Sequence, residues 1–340
     1  MIFAALLLLA LAAAWLLLFY DNGCPGFAQD AVEPRGDVET VWFPAADGTR
    51  LEGWLLRAPV PTAPLVVMAP GLTGTKDAHL EPFARAFQRA GLAVLLLDYR
   101  TFGGSDGEPR HWVDPVRQRE DYEAAIAFAR RELGPRAIAV WGSSFSGGTA
   151  LVCAARDPEI RAVVAQCPFL ATPPAQQPDA LSLARFVFWT TLDLVRVKLG
   201  VGAPVYLPAF GRPGELAFAK SRENPSVFDS EHPARHDFWR ALPKEIRGGW
   251  ENVLLARVFA SLDREVPMEH VARVRCPVLL VAAERDDMVP AAFVREAHAK
   301  LAHPGSRLVS YDALHFDLYL GEVLRANLAE QTAFLVSALA

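Results

Sequence analysis

The chain has 340 residues, 52% apolar and 21% charged, which suits one large domain or a domain carrying a sizeable insertion and excludes a disordered chain. A net charge of −5, with no Lys/Arg-rich block, excludes the basic field that nucleic acid requires. The four cysteines (Cys24, Cys153, Cys167, Cys276) are far apart and form no C-x-x-C, so spacing implies neither a disulfide framework nor a metal site.

Ile2 to Tyr20 is an uncharged, almost wholly apolar run. It approaches the roughly 20 residues needed to cross a bilayer and exceeds the core of a signal peptide, about 7–15 residues. Residues 1–20 therefore read as an N-terminal single-pass membrane anchor. The alternative is a cleaved signal, cut near Gly26-Phe27-Ala28, leaving a secreted or periplasmic protein. Residues 21–37 read as a linker.

A first core segment spans 38–168. Val38 to Pro44 and Thr49 to Arg57 alternate apolar and polar residues around Ala46-Asp47-Gly48, a hairpin signal. Leu65 to Ala69 is a short apolar strand that runs into Pro70-Gly71-Leu72. Leu80, Phe83, Ala84, Phe87 and Ala90 then recur at helical spacing, with Gly91 as the stop. Leu92 to Leu97 is a buried strand, and Asp114-Pro115 opens a second helix ended by Gly134-Pro135. Ile138 to Trp141 is a strand again. It stops at Gly142, and Gly147, Gly148 and a small-residue helix follow Ser144. Strand, sharp turn and helix around Gly142-Ser143-Ser144-Phe145-Ser146 approach the G-x-S-x-G elbow, in which a strained turn lifts a serine hydroxyl to the sheet edge. A Ser-rich turn capping a helix remains the plain alternative. Ile160 to Cys167 is another apolar strand.

From 169 to 272 the alternation breaks into an interval with many aromatics and prolines and no convincing strand. A structureless loop of that length is implausible, so the interval reads as a largely helical lid. Its aromatics serve either its own packing or an acyl-binding wall. The second core segment, 273–340, returns to strand Cys276 to Ala283, a helix near 291–301, a strand near 306–311 and a helix near 316–337. Strands alternating with helices imply α/β architecture, a mostly parallel sheet with helices on both faces.

A serine needs an imidazole to take its proton and a carboxylate to hold that imidazole, in the chain order Ser, Asp or Glu, His. After the strand ending at Ala283 come Glu284, Asp286 and Asp287; Asp286 is the leading acid and Asp287 its alternative. His315 follows the last strand at the correct edge, whereas His303 sits at its other end and His232, His236 and His270 belong to the lid. Oxyanion donors would be the backbone N–H groups of Phe145 and Leu72, although Pro70-Gly71 could be a plain turn.

The runs Ala69 to Asp77, Asp98 to Arg110 and Trp141 to Gly148 resemble the α/β-hydrolase superfamily, most nearly its dienelactone-hydrolase and Xaa-Pro-peptidase-like branch, over about 38–168 and 274–337. The resemblance implies the α/β-hydrolase fold, a nucleophile at Ser144, acid at Asp286, base at His315, oxyanion donors at Leu72 and Phe145, and no cofactor. Two positions depart from the pattern: Pro70 stands where many relatives have His, and Ser146 where many have Gly. Arg100 and His111 lie on nearby loops, Arg100 reading as an ion-pair partner. The expected activity is hydrolysis of a small-molecule ester or thioester, with a peptidase on the same fold and an inactive membrane-tethered binding module as alternatives.

Overall fold

The computed structural model describes residues 2–20, 36–173, 177–211, 215–220 and 252–340, with side chains from residue 11 onward. Most of the linker, Cys24, the Gly26-Phe27-Ala28 segment, His232 and His236 lie outside the described residues.

The hairpin forms as expected. β1 (Val38–Pro44) pairs antiparallel with β2 (Arg50–Leu56), and Gly48 takes φ +86° in the turn, a value an L side chain resists. β3 (Leu65–Ala69), β4 (Ala93–Leu97), β5 (Ile138–Ser143) and β6 (Ile160–Gln166) follow, separated by α2 (Glu81–Arg89), α3 (Pro115–Phe128) and α4 (Phe145–Arg156). After the lid come β11 (Val278–Ala283), α6 (Ala291–Lys300), β12 (Arg307–Tyr311) and α7 (Gly321–Leu339). The main sheet has the order β1-β2-β4-β3-β5-β6-β11-β12 and is parallel from β4 onward. Successive residues of β5 feed opposite cores. Ile138 and Val140 join one apolar cluster, Ala139 and Trp141 the other, so the sheet is buried on both faces and the strand reads as a continuous apolar run. Because parallel strands all end on one edge, the loops after β3, β5, β11 and β12 are gathered there.

The described lid departs from expectation. One long helix, α5 (Ala180–Leu199), starts at Asp179, whose carboxylate accepts from the Ser182 N–H at 2.8 Å, and ends at Gly200 with φ +65°. Four short strands accompany it: β7 (Tyr206–Pro208), β8 (Phe210–Gly211), β9 (Ala219–Lys220) and β10 (Val253–Leu255), where the sequence suggested none. β7 pairs with β10 and β8 with β9. Segments of two or three residues are too short for a period-2 pattern to register, and partners 47 residues apart in register, such as Leu207 and Leu254, leave no local mark. Buried Asp193 on α5 accepts from Arg257 at 2.6 Å and from the Val205 N–H at 2.9 Å, which fixes the helix to the rest of the lid.

α1 (Ile2–Phe19) forms over the apolar run. Its last turn rests on the lid. Buried Arg196 of α5 donates to the carbonyls of Leu16, Leu17 and Tyr20, capping carbonyls that the helix itself leaves without a partner. Among the described residues no helix is long and apolar enough to cross a membrane, so the single-pass anchor expected for residues 1–20 gains no support here.

Candidate active site

Ser144 sits between β5 and α4 with φ 55° and ψ −119°, a strained backbone that the two flanking elements over-determine. A Cβ on Gly142 would lie 2.0 Å from the Ser146 carbonyl oxygen, and one on Gly148 would lie 2.1 Å from that of Phe169. Only glycine fits at either place. The departure at Ser146 has its own explanation: its buried hydroxyl donates to the Pro70 carbonyl and meets the Tyr99 hydroxyl at 2.7 Å. A glycine there would remove the donor to the Pro70 carbonyl and one partner of the Tyr99 hydroxyl. Ser146 thus ties the elbow to the loop after β3, where a Cβ on Gly71 would lie 3.3 Å from the Ser144 Cβ. Gly71 lets that loop pass directly beside the serine, and Leu72, Ser144 and Phe145 together line one cavity.

Of the three acids after β11, Glu284 is exposed and pairs with Arg295 at 2.9 Å, while Asp286 is buried and approaches His315 Nδ1 to 2.5 Å. The other Asp286 oxygen accepts from the N–H groups of Met288 and Val289 at 2.9 and 2.8 Å. Those two bonds fix the carboxylate, and its bond to Nδ1 leaves Nε2 of His315 as the outward nitrogen. His315 opens a 3-10 turn, His315–Tyr319, rather than lying just ahead of the closing helix. That turn is tied down at its far end. The Tyr319 hydroxyl bonds Ser143, the neighbour of Ser144, and the Tyr319 carbonyl accepts from His79 Nε2 at 2.8 Å. Burial pushes the Tyr319 hydroxyl well above its ordinary pKa, so it stays protonated and can donate.

Beneath the site lies a polar network that pattern reading missed. Gln166 donates to Ser143 at 3.1 Å and accepts from Asn327 and Gln331 at 2.6 and 2.9 Å, while Gln331 accepts from the Trp141 indole at 2.6 Å. Asn327 and Gln331, both fully buried, stand one turn apart on the inner face of α7. Two amides at that spacing on an apolar face were the available signal. Cys167 was also missed. The fold brings its sulfur together with donor atoms of Asp286 and His315, all within 4.8 Å of one another, although sequence spacing suggested no cluster. Burial, with the adjacent Asp286 charge, pushes the Cys167 thiol well up, and Asp286 is already occupied by three donors. A protonated thiol and a saturated carboxylate suit hydrogen bonding rather than metal ligation.

Arg100 is buried in an ion pair, donating to Asp121 at 2.7 Å and Asp47 at 2.6 Å. His111 is buried between core and lid, with its carbonyl accepting from Leu255 N–H of β10 at 3.0 Å. Neither residue is among those lining the cavity.

That cavity, about 490 Å³, runs from Ser144 under the lid. Phe186, Phe218 and Phe259 form part of its wall; Phe186 stacks on Phe259 at 4.2 Å, and Phe218 tilts against Phe259 at 5.6 Å. The lid aromatics therefore pack on one another and line the cavity at once.

A serine in a strained elbow, a carboxylate-held histidine and an apolar chamber on the carboxyl edge of this sheet are the features of one enzyme class. The sequence matches the alpha/beta hydrolase fold family over residues 64–322. Among similar proteins, the quorum-quenching protein AidA of Acinetobacter baumannii is 31% identical, with the match covering 80% of this chain and 86% of its own. Thiohydrolase aneE of Aspergillus aculeatus is 28% identical over 88% of this chain and 93% of its own. The crystal structure of the α/β hydrolase GrgF from a Penicillium species superposes with a TM-score of 0.74 at 25% identity, covering 89% of this chain and 99% of that one. The chain belongs to the α/β-hydrolase family and is a hydrolase that acts on ester bonds.

Proposed function

We propose that the chain cleaves carboxylic esters or thioesters of lipophilic acyl groups through an acyl-enzyme on Ser144. The supporting observations are the 2.5 Å bond between Asp286 and His315 Nδ1 and, on another loop of the same sheet edge, a serine held at φ 55° at the wall of an apolar cavity. His315 Nε2 takes the Ser144 proton as Oγ attacks the carbonyl carbon, and the imidazolium returns that proton to the departing alkoxide or thiolate. Water, activated by the same nitrogen, then releases the acid. The N–H groups of Leu72 and Phe145 would receive the oxyanion. The acyl chain would lie along Phe186, Phe218 and Phe259. The similarity to thiohydrolase aneE supports thioesters as acyl donors. The apolar α1 supports membrane association through residues 2–20.

A fluorophosphonate probe tests the reading: labelling of the wild type and none of Ser144→Ala is expected, with turnover of p-nitrophenyl esters and acyl thioesters lost by several orders of magnitude in His315→Ala. Labelling that persists in Ser144→Ala, or turnover in His315→Ala within about tenfold of wild type, would overturn it.

A further inference from the structure

α5 buries a single stripe, Ser182, Phe186, Thr190, Asp193 and Arg196, and turns the rest of its surface outward. That outer surface is strongly apolar. Leu181, Leu183, Val187, Phe188, Leu194, Val195, Val197 and Leu199 are all between 38% and 71% exposed, on a helix that soluble packing would leave polar there. Apart from the Asp179 cap at its start, the exposed charges of the helix, Arg185 and Lys198, are both basic. An apolar face whose charges beyond the cap are cationic is the composition of a helix lying in the plane of an anionic bilayer surface.

Two further observations select a bilayer over a protein partner. The face continues into α1, whose exposed Leu11, Trp15, Leu18 and Phe19 are apolar and whose final carbonyls are capped by Arg196 of α5 itself. A Cβ on Gly202, in the turn after α5, would lie 2.7 Å from the Leu17 carbonyl oxygen, so the seat is shaped for α1. Trp15, Tyr20, Trp189 and Phe188 form a chain of ring contacts at this junction, with centroids 6.3, 5.1 and 4.9 Å apart, an aromatic cluster of the kind that sits at headgroup depth. In addition, Leu183 and Val187 are exposed and also line the cavity, so the chamber beside Ser144 opens on this face.

We propose that the outer face of α5 is a membrane-binding surface that lies among anionic lipid headgroups and opens the acyl cavity to the bilayer, from which lipophilic acyl substrates enter. This rests on the proposed membrane association through α1. The occupant is chosen by charge and position: the exposed charges within the helix, Arg185 and Lys198, are cations that suit anionic headgroups, and the face runs on into the apolar α1.

The test uses the full chain with Cys24→Ser and Cys276→Ser, an environment-sensitive fluorophore on Phe188→Cys or, as control, on Glu322→Cys of α7, and vesicles of phosphatidylcholine with or without phosphatidylglycerol. Flotation reports the anchor, and the fluorophore reports α5. The residue-188 probe is expected to shift to the blue with the vesicles, more so with phosphatidylglycerol, while the control stays water-like. In parallel, Phe188→Glu with Val195→Glu should lose about tenfold in hydrolysis of a long-chain ester dispersed in vesicles and keep hydrolysis of a soluble short-chain ester. Flotation with a water-like residue-188 probe overturns the α5 surface and leaves the anchor standing. No flotation overturns both. A blue shift without vesicles, accompanied by dimer, assigns the face to a second copy and overturns the proposal.

Discussion

Ser146 shows how one side chain can serve the site without belonging to the proposed proton relay. Its hydroxyl joins the Pro70 carbonyl to the Tyr99 hydroxyl, and all three groups are buried. Ser146→Ala removes the middle of that chain and leaves a buried carbonyl and a buried phenol without it, at a cost of about 1–3 kcal/mol. A urea midpoint should fall accordingly. Because Pro70 leads into the Gly71-Leu72 turn, kcat should fall with KM little changed, and Ser146→Gly, which restores the usual motif letter, should behave no better. Wild-type stability and kcat in Ser146→Gly would show that the hydroxyl is idle.

At the scale of elements, the strands and helices of the sheet domain were legible because each carried its period and its punctuation. Asp114 caps α3 by accepting from the Val116 and Arg117 N–H groups at 3.0 and 3.1 Å, and Gly134 closes the segment at φ 56°, as Asp-Pro and Gly-Pro suggested. The placement of Ser144, Asp286 and His315 was legible for the same reason, since each stands just past a strand end. What escaped reading was set by tertiary partners. The 3-10 turn at His315 is held by Ser143 and His79, far away in sequence, and the lid strands pair across long intervals. Cys167 reads as one more residue of an apolar strand until β11 is placed beside β6.

The joint between lid and core carries a pH dependence. Burial, with the adjacent Arg110 charge, pushes His111 from the ordinary 6.5 down to about 4, and its ring bonds the backbone of Val253 in β10. The folded state therefore holds this ring neutral where an unfolded chain would take a proton. The stabilisation is complete above pH 6.5 and is lost as pH falls toward 4; by pH 5 about 2 kcal/mol is gone. His111→Asn, which tolerates the local φ of 59°, should lose less stability between pH 7 and pH 5 than the wild type. Urea midpoints at the two pH values for each protein give the difference, and equal losses would refute the assignment.

For the whole molecule, α1 and the lid form one assembly rather than a tether and a separate enzyme. Arg196 is buried, and three of the carbonyls it serves, Leu16, Leu17 and Tyr20, belong to the α1 end, while a fourth, Ala203, belongs to the lid at 2.6 Å. Removing residues 1–20 strips most of those acceptors and exposes the ring of Trp189, on which Tyr20 stacks at 5.1 Å. The full chain should stay with membranes through an alkaline carbonate wash, and the truncated chain should appear in the soluble fraction with its ester hydrolysis retained, since Ser144, Asp286 and His315 lie elsewhere. The energetic link is measurable as a cycle. In the full chain Arg196→Gln breaks the cap, whereas in the truncated chain most of what it would break is already gone. The two changes should therefore couple by about 1 kcal/mol, within the range found for residues in direct contact. Thermal or urea denaturation of the four proteins in the same detergent gives the coupling; strictly additive losses would mean that α1 contributes nothing to the lid's stability.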